Sequence, residues 1–339
     1  CTMTKDQPDA SSGRRSSRKT LWLALAIVLA AGAYTVGWFT VAGRLETSLP
    51  KFFQQAAKQG IQPVCSNAEI TGYPLRMGIN CQSTAVDFDK QGIKVTLGKL
   101  FSAAPVYNPR HVTSTFEGPV NITGADDLSA QFDWEFMRTD AVLAKNGLNS
   151  GSAEGKRVSI SADSRELPFR LNAEIGHFSA LARRDNTDLR ISIAAEDFTS
   201  PLALDTSTFK LEATILSGAT FMTGGQEPSL RGKTLHLETL NAALTEGGEI
   251  GLTGNIAIGD DGLANGDLRI RLTDYKAVAK SLEDIQPELA EQIIRFGPTL
   301  AALDIEPGDG AQTITLPFTV RQGEIAIGIF GLGDLPIFK

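Results

Sequence analysis

Residues 21–42 read LWLALAIVLAAGAYTVGWFTVA and carry no charge, with Lys19 before them and Arg44 after them. At about 1.5 Å of rise per residue, about 20 apolar residues in a helix cross the roughly 30 Å hydrocarbon core of a bilayer. The apolar core of a cleaved signal peptide is shorter, about 7–15 residues. The length therefore predicts an uncleaved transmembrane helix over residues 20–43. A signal peptide cleaved at Ala31-Gly32-Ala33 is the alternative, although the chain stays apolar beyond that site.

Charge is distributed unevenly on the two sides of this stretch. Five Lys or Arg and two Asp or Glu precede residue 21, a net charge of +3, and no charge occurs from residue 20 to 43. The whole chain carries −7, so residues 44–339 carry −10. Because basic flanks stay in the cytoplasm, we predict a single-pass protein of the inner (plasma) membrane with a periplasmic C-terminal domain. Residues 1–19 are polar and are predicted to be a disordered cytoplasmic tail. The acidic domain argues against a nucleic-acid partner.

Two cysteines, Cys65 and Cys81, lie outside the predicted membrane span. An oxidising compartment favours their pairing, and the enclosed loop is short. A redox or metal pair is the alternative, but the sequence has no C-x-x-C and no nearby histidine. We therefore predict a structural disulfide between Cys65 and Cys81.

Apolar periodicity changes after the membrane span. Residues 44–60 keep a helical spacing, with Pro50 expected to kink the helix or begin a new one. Short runs of strict alternation then predict strands over residues 67–272 and 312–330. The clearest are Leu75/Met77/Ile79, Ile93/Val95/Leu97, Phe132/Trp134/Phe136, Leu189/Ile191/Ile193, Leu268/Ile270/Leu272 and Ile314/Leu316/Phe318. Helical spacing returns over residues 274–303, divided by Pro287 and Gly297-Pro298.

These patterns predict a mainly β (α+β) protein. Its exported part, residues 44–339, is expected to be one long, curved antiparallel sheet with a few short helices. Short connections with turn residues, such as Asp260-Asp261-Gly262 and Gly247-Gly248, support antiparallel pairing.

The sequence contains no recognisable constellation for catalysis. His111, His177 and His236 are far apart in sequence and fit no metal-binding spacing. No G-x-S-x-G element and no P-loop occurs. We therefore predict no catalytic residues, no metal site, no cofactor and no enzymatic activity.

Three stretches carry a family resemblance. They are Gly37-Trp38-Phe39 with Val41–Arg44, the Thr71–Arg76 element between Cys65 and Cys81, and Gly323–Ile329 with Leu332–Pro336. In this order they resemble a family of uncharacterised bacterial envelope proteins, domain-of-unknown-function family 2125, over nearly all of residues 37–339. The resemblance supports the topology and the disulfide, and it implies no catalytic residues. Residues 249–282 are more weakly similar to AsmA-type envelope proteins, which are membrane-anchored, β-rich and associated with outer-membrane lipid homeostasis.

Three functions follow as hypotheses. The first is a non-enzymatic scaffold or assembly factor of the cell envelope, with other envelope proteins as partners. The second is a lipid-binding or lipid-transfer protein of AsmA-like type, whose sheet would hold acyl chains because two short helices are too few to cover it. The third is an enzyme with an unrecognised site. Tyr73 and Arg76 are the predicted ligand or partner contacts, since Gly72 and Pro74 restrict the backbone around Tyr73. A surface ion pair is the alternative role of Arg76.

Overall fold

A computed structural model describes most of the chain, as two units that divide between Leu49 and Pro50. The described residues are 18–58, 60–89, 92–124, 128–163, 171–199, 205–223, 229–283, 286–302, 312–327, 330–335 and 337–338. Of the predicted disordered tail, residues 1–17 lie outside this set.

The first helix, α1 (Arg18–Lys58), contains the apolar stretch. Its segment Leu21–Lys51 is the one described helix that is long and apolar enough to cross a membrane. Thr35 and Thr40 donate hydrogen bonds to the carbonyl oxygens one turn earlier, at 2.8 and 2.7 Å, which satisfies their hydroxyls within the helix. The helix continues through Pro50, so no new helix begins there. An apolar helix in this position is compatible with a membrane anchor or a signal sequence.

The second unit is dominated by an antiparallel sheet in which the described residues form twenty strands. In chain order these are β1 (Ile61–Ser66), β2 (Glu69–Thr71), β3 (Arg76–Cys81), β4 (Ser83–Phe88), β5 (Ile93–Leu97), β6 (Leu100–Pro105), β7 (His111–Phe116), β8 (Val120–Thr123), β9 (Ser129–Asp133), β10 (Phe136–Ala144), β11 (Gly147–Asp163), β12 (Leu171–Asp185), β13 (Asp188–Thr199), β14 (Thr206–Leu216), β15 (Thr234–Leu244), β16 (Glu249–Ile258), β17 (Ala264–Thr273), β18 (Ile314–Arg321), β19 (Glu324–Ile327) and β20 (Phe330–Asp334).

Strand pairing follows a simple meander. From β11 to β20 each strand pairs with the next one along the chain. The ten shorter strands before β11 act as five longer ones, each broken once near its middle. Thus β3 pairs with β6, and β4 pairs with β5. In turn, β6 pairs with β7 and β5 with β8, and then β7 pairs with β10 and β8 with β9. Both β10 and β9 pair with β11.

The breaks in neighbouring strands line up across the sheet, and we call this line the crease. It contains Asn67, Gln82, Gly98, Gly118, Trp134, Arg157, Gly176 and Asp197. Asn67, Arg157 and Asp197 have positive φ angles of 49°, 47° and 54°. Side chains bond along it: Asn67 Nδ2 donates to Gln82 Oε1 at 2.8 Å, and Trp134 Nε1 donates to the Phe116 carbonyl at 2.9 Å.

Arg157 shifts the alternation of side chains where β11 crosses the crease. A Cβ placed on Gly155 would lie 3.1 Å from Val158 Cγ2, so residues 155 and 158 share one face although they differ by three positions. The apolar face therefore continues from odd-numbered to even-numbered residues of β11. The register of β11 with β12 does not change here, since Lys156 lies opposite His177 and Val158 opposite Ile175, so β12 makes the same shift at Gly176.

Three short helices lie over parts of the apolar face. Helix α2 (Tyr275–Leu282) begins at Asp274, whose side chain accepts a hydrogen bond from the Ala277 amide at 3.3 Å. Helix α3 (Pro287–Ala302) follows it and continues through Pro298. A 3-10 helix (Gly218–Met222) lies against the ends of β11, β12 and β13.

The predicted fold class is confirmed: the described chain is mostly β, with one long apolar helix and a large antiparallel sheet that is not closed. The first strand begins at Ile61, earlier than the predicted residue 67. Pro63 obscured this strand in the sequence because it cannot donate to a ladder. The strand tolerates it because, among the described strands, β1 pairs only with β4 and so lies at an edge.

Candidate functional site

One row of apolar residues crosses seven consecutive strands of the sheet, and we call it the central row. Each member lies directly opposite the next on the neighbouring strand, so their side chains share one face. Its members are Ala180, Ile193, Leu211, Leu240, Leu252, Ile270 and Leu316. Six inter-strand spacings give the row a length of roughly 29 Å.

All seven residues of the central row are half-buried, and none is fully buried. Beside them, Phe178, Ala195, Phe209 and Ala242 form a second half-buried row on β12 to β15, in register from strand to strand. These four, together with Ala180, Ile193, Leu211 and Leu240, belong to none of the three buried clusters. The apolar surface is therefore widest between β12 and β15.

Buried clusters flank the central row on both sides. On one side, Leu272 and Ile314 pack with Tyr275 and Val278 of α2. On the other side, Leu189 and Ile215 pack with Met222 of the 3-10 helix, and Leu268 and Val320 form a third cluster near the end of the chain. The clusters reach Leu252, Ile270 and Leu316 of the central row, whereas the part of the row on β12 to β15 packs against none of them.

Alternation in the strands builds this surface. In β14, Leu211 lies on the apolar face, while its neighbours Lys210 and Glu212 lie on the other face and form an ion pair of 2.9 Å. Sequence reasoning identified the alternation of Ile193, Ile270 and Leu316 but missed Leu211 and Leu240. The run Phe209, Leu211, Ala213, Ile215 was the signal that would have identified β14.

The central row offers apolar contact area and no hydrogen-bonding side chain. Such a surface suits an alkyl chain, which gains free energy by leaving water and requires no polar partner. It is also long enough for an extended chain, because one bilayer leaflet is only about 15 Å deep in hydrocarbon.

The opposite face of the sheet is polar and has two clefts of about 610 and 490 Å³. The first contains Asp133, Glu174 and Asp205 beside hydroxyl and amide side chains. The second contains Arg269 and Arg271 beside threonines. Among the described residues, no group of three or more His, Cys, Asp or Glu side chains is arranged to hold a metal ion.

The three histidines occupy separate places in the sheet. His111 Nε2 lies 3.5 Å from Asp140 Oδ1 on β10. His236 Nδ1 hydrogen-bonds to Asn255 Oδ1, and His177 lies opposite Glu196. The structure does not bring the three together.

Asp140 is the centre of a polar cluster of side chains on β7 and β10. Arg138 contacts both of its oxygens, with Nε 2.9 Å from Oδ2 and Nη2 3.0 Å from Oδ1, and Thr113 donates to Oδ1 at 2.6 Å. Partial burial acts to raise the pKa of Asp140, but the hydrogen bonds from Arg138 and Thr113 outweigh it and lower the pKa overall. The same pair raises the pKa of Arg138. The cluster joins β7 to β10.

The predicted contact residues Tyr73 and Arg76 lie in the turn that leads into β3. Gly72 has a φ of 105°, and its carbonyl accepts a hydrogen bond from the Arg76 amide at 2.9 Å. Both side chains are exposed. Their roles as ligand or partner contacts remain predictions. The turn lies on β3, far in the strand order from the central row, which begins on β12.

The predicted disulfide is present: Cys65 and Cys81 are bonded, with Cα atoms 5.3 Å apart. It connects β1 to β3, which do not pair with each other. The bridge therefore adds a link that the strand ladder lacks.

Comparison with known proteins gives a family for the chain. No curated protein and no solved structure matches it, and the weaker likeness to AsmA-type proteins receives no support. A family model described as uncharacterized protein conserved in bacteria matches residues 38–336. The match covers most of the chain, including the sheet and the Cys65–Cys81 bridge. The chain therefore belongs to family DUF2125, as its three characteristic stretches predicted.

Proposed function

We propose that this protein binds lipid acyl chains on the apolar face of its sheet. The observation that carries the proposal is the apolar surface on β12 to β15, where the half-buried residues of the central row and of the second row pack against none of the buried clusters. A protein that used this face only for internal packing would gain stability by covering it. Each methylene that leaves water on such a surface contributes about 0.8 kcal/mol, so even a partly covered chain binds appreciably.

The proposed location is the periplasmic side of the inner membrane. The apolar segment of helix α1 would be an uncleaved anchor, with the basic residues that precede this segment in the cytoplasm and the domain after it exported. A disulfide between Cys65 and Cys81 agrees with an oxidising compartment. Anchoring would tether the domain to the membrane. No enzymatic step is part of the proposal.

Site-specific photocrosslinking tests this function. Leu211 and Lys210 are consecutive residues of β14 on opposite faces, so they form a matched pair. The photoreactive residue p-benzoylphenylalanine is placed at one or the other position in the full chain, expressed in bacterial membranes. Mass spectrometry should find lipid adducts after irradiation at position 211 and none at 210. Absence of lipid at 211, and likewise at 193 and 240, would reject acyl-chain binding and favour a scaffold.

A further inference from the structure

Arg184 lies on the apolar face of the sheet, near the end of β12. It is directly opposite Leu189 of β13 and shares its face with Ala182 and Ala180, the first residue of the central row. Arg184 lies four positions after Ala180, a distance of roughly 13 Å along the strand. An arginine on an apolar face requires an explanation, because a guanidinium is always charged.

Two guanidinium nitrogens of Arg184, Nε and Nη2, are buried and have no hydrogen-bond partner. No ion pair of Arg184 occurs in the described part of the chain. The nearest carboxylates in sequence are already engaged: Asp185 pairs with Arg190 at 3.4 Å, and Asp188 accepts from the Ser217 amide at 2.8 Å. Arg184 as a whole is half-buried, but two of its three guanidinium nitrogens have lost contact with water and gained no partner in the described chain. This loss costs free energy, and an acidic group from outside the chain would recover it.

The unpartnered atoms have the geometry of an acid-binding site. Nε and Nη2 lie on the same side of the guanidinium, and together they form the fork that binds two oxygens of one acid. Arg138 uses this fork on Asp140, with distances of 2.9 and 3.0 Å. In Arg184 the same two atoms are unoccupied by any group of the described chain.

We propose that Arg184 binds the acidic head group of an anionic amphiphile whose alkyl chain lies along the apolar face. The inference rests on the proposed acyl-chain binding and names the ligand class: an oxyacid, carboxylate or phosphate, attached to an alkyl chain. The acid binds to Nε and Nη2 of Arg184 at the end of β12, and the alkyl chain of the ligand lies along Ala182 and Ala180 and then along the central row. Neutral amphiphiles use the same row without this ionic contact.

Arg183 provides a matched control. It is adjacent to Arg184 on β12, but it is exposed on the polar face, opposite Ser150 and Arg190. Arg183→Gln removes the same charge at nearly the same place without touching the apolar face. Arg184→Lys is the second variant, because it keeps the charge and loses the planar fork.

The test measures capture of three photoactivatable probes by the full chain in vesicles of zwitterionic phospholipid. The probes share one 16-carbon chain bearing a diazirine and differ in the head group: a carboxylic acid, a phosphate monoester or an alcohol. The native chain and Arg183→Gln should prefer one or both acids over the alcohol about tenfold or more, the effect of a charge-assisted hydrogen bond. Arg184→Gln should lose this preference and still capture the alcohol. The acid captured more strongly identifies the head group.

The outcomes separate the two proposals. Equal capture of all three probes by the native chain, or a preference that survives Arg184→Gln, overturns the role of Arg184 and leaves acyl-chain binding standing. Failure of the native chain to capture any probe overturns both. Thermal unfolding is the second measurement: Arg184→Gln should melt at the same temperature as the native chain or higher, because it removes a half-buried charge that has no partner in the described chain. If it melts lower and loses the alcohol probe, Arg184→Lys decides, since it must retain a weakened acid preference.

Discussion

Cys65 and Cys81 are bonded across the crease. Cys65 lies on β1, two residues before Asn67, and Cys81 lies on β3, next to Gln82. The crease separates β1 and β4 on one side from β2 and β3 on the other. The Ser66 carbonyl accepts a hydrogen bond from the Gln82 amide at 3.0 Å, beside the Asn67–Gln82 side-chain bond. The bridge and these hydrogen bonds together fix the angle at which the first strands cross the crease.

Removal of the disulfide should destabilise the sheet at this edge. The cysteines are 16 positions apart, and a closed loop of that size contributes about 3 kcal/mol through the entropy of the unfolded chain. Replacement of both cysteines by serine should lower the free energy of unfolding by about that amount, measured by urea denaturation of the full chain in detergent. Reductant should destabilise the native chain similarly and leave the double variant unchanged. Equal stability of all four samples would contradict a structural role.

Two glycines on the apolar face should respond very differently to alanine. A Cβ on Gly254 would lie against the Asp267 carbonyl oxygen and 2.8 Å from Leu268 Cα, and its φ is +141°. A Cβ on Gly151 would meet nothing within 4 Å. Gly254→Ala should cost about 2–4 kcal/mol from overpacking and backbone strain, and Gly151→Ala should change stability by less than about 0.5 kcal/mol. Denaturation of both variants measures the difference, and similar values for the two would contradict the packing of β16 on β17.

Alternation predicted the strands with large apolar residues on one face, as in Leu268, Ile270 and Leu272 of β17. It did not predict β11 individually, because small residues occupy the corresponding positions there, including Gly151, Ala153 and Gly155. Small side chains carry little hydropathy contrast, so the period of two is hidden.

The crease could not be predicted from the local alternation of apolar and polar residues. Phe132, Trp134 and Phe136 alternate as if in one strand, yet the chain breaks at Trp134, between β9 and β10. The break depends on bonds to distant residues, from Trp134 Nε1 to Phe116 and from the Glu135 amide to the Lys156 carbonyl, 3.1 Å. A single sequence contains no signal for such pairs.

The candidate site depends on register in the same way. The central row exists only because Ile193, Leu211 and Leu240 lie opposite one another, and register is fixed by the whole sheet. Arg184 was equally hidden, because two consecutive arginines in a sequence suggest two solvated side chains. The disulfide was predictable, since it required only two cysteines and a compartment.

The Arg138–Asp140 pair should make stability depend on pH in a defined window. The pKa of Asp140 is lowered in the folded chain, so its contribution is fully present above the unfolded value of about 3.9 and is lost as pH falls through the folded pKa. Asp140→Asn should cost about 1–2 kcal/mol at pH 7, and the deficit should shrink below about pH 4. Urea denaturation from pH 7 to 3 measures this. Asp260→Asn, in an exposed turn, is the control and should show no such deficit.

The orientation of the chain can be tested with reporters fused after Lys339. Alkaline phosphatase requires an oxidising compartment to form its disulfides. We expect this fusion to be active because the basic residues before the apolar segment of α1 retain the N-terminus in the cytoplasm. Green fluorescent protein fused at the same position and exported unfolded should be dark. Replacement of Arg14, Arg15, Arg18 and Lys19 by glutamine should reduce phosphatase activity per molecule, since it removes most of the positive charge that keeps the N-terminus in the cytoplasm. An inactive phosphatase fusion together with a fluorescent green fluorescent protein fusion would place the sheet in the cytoplasm and reject the proposed location.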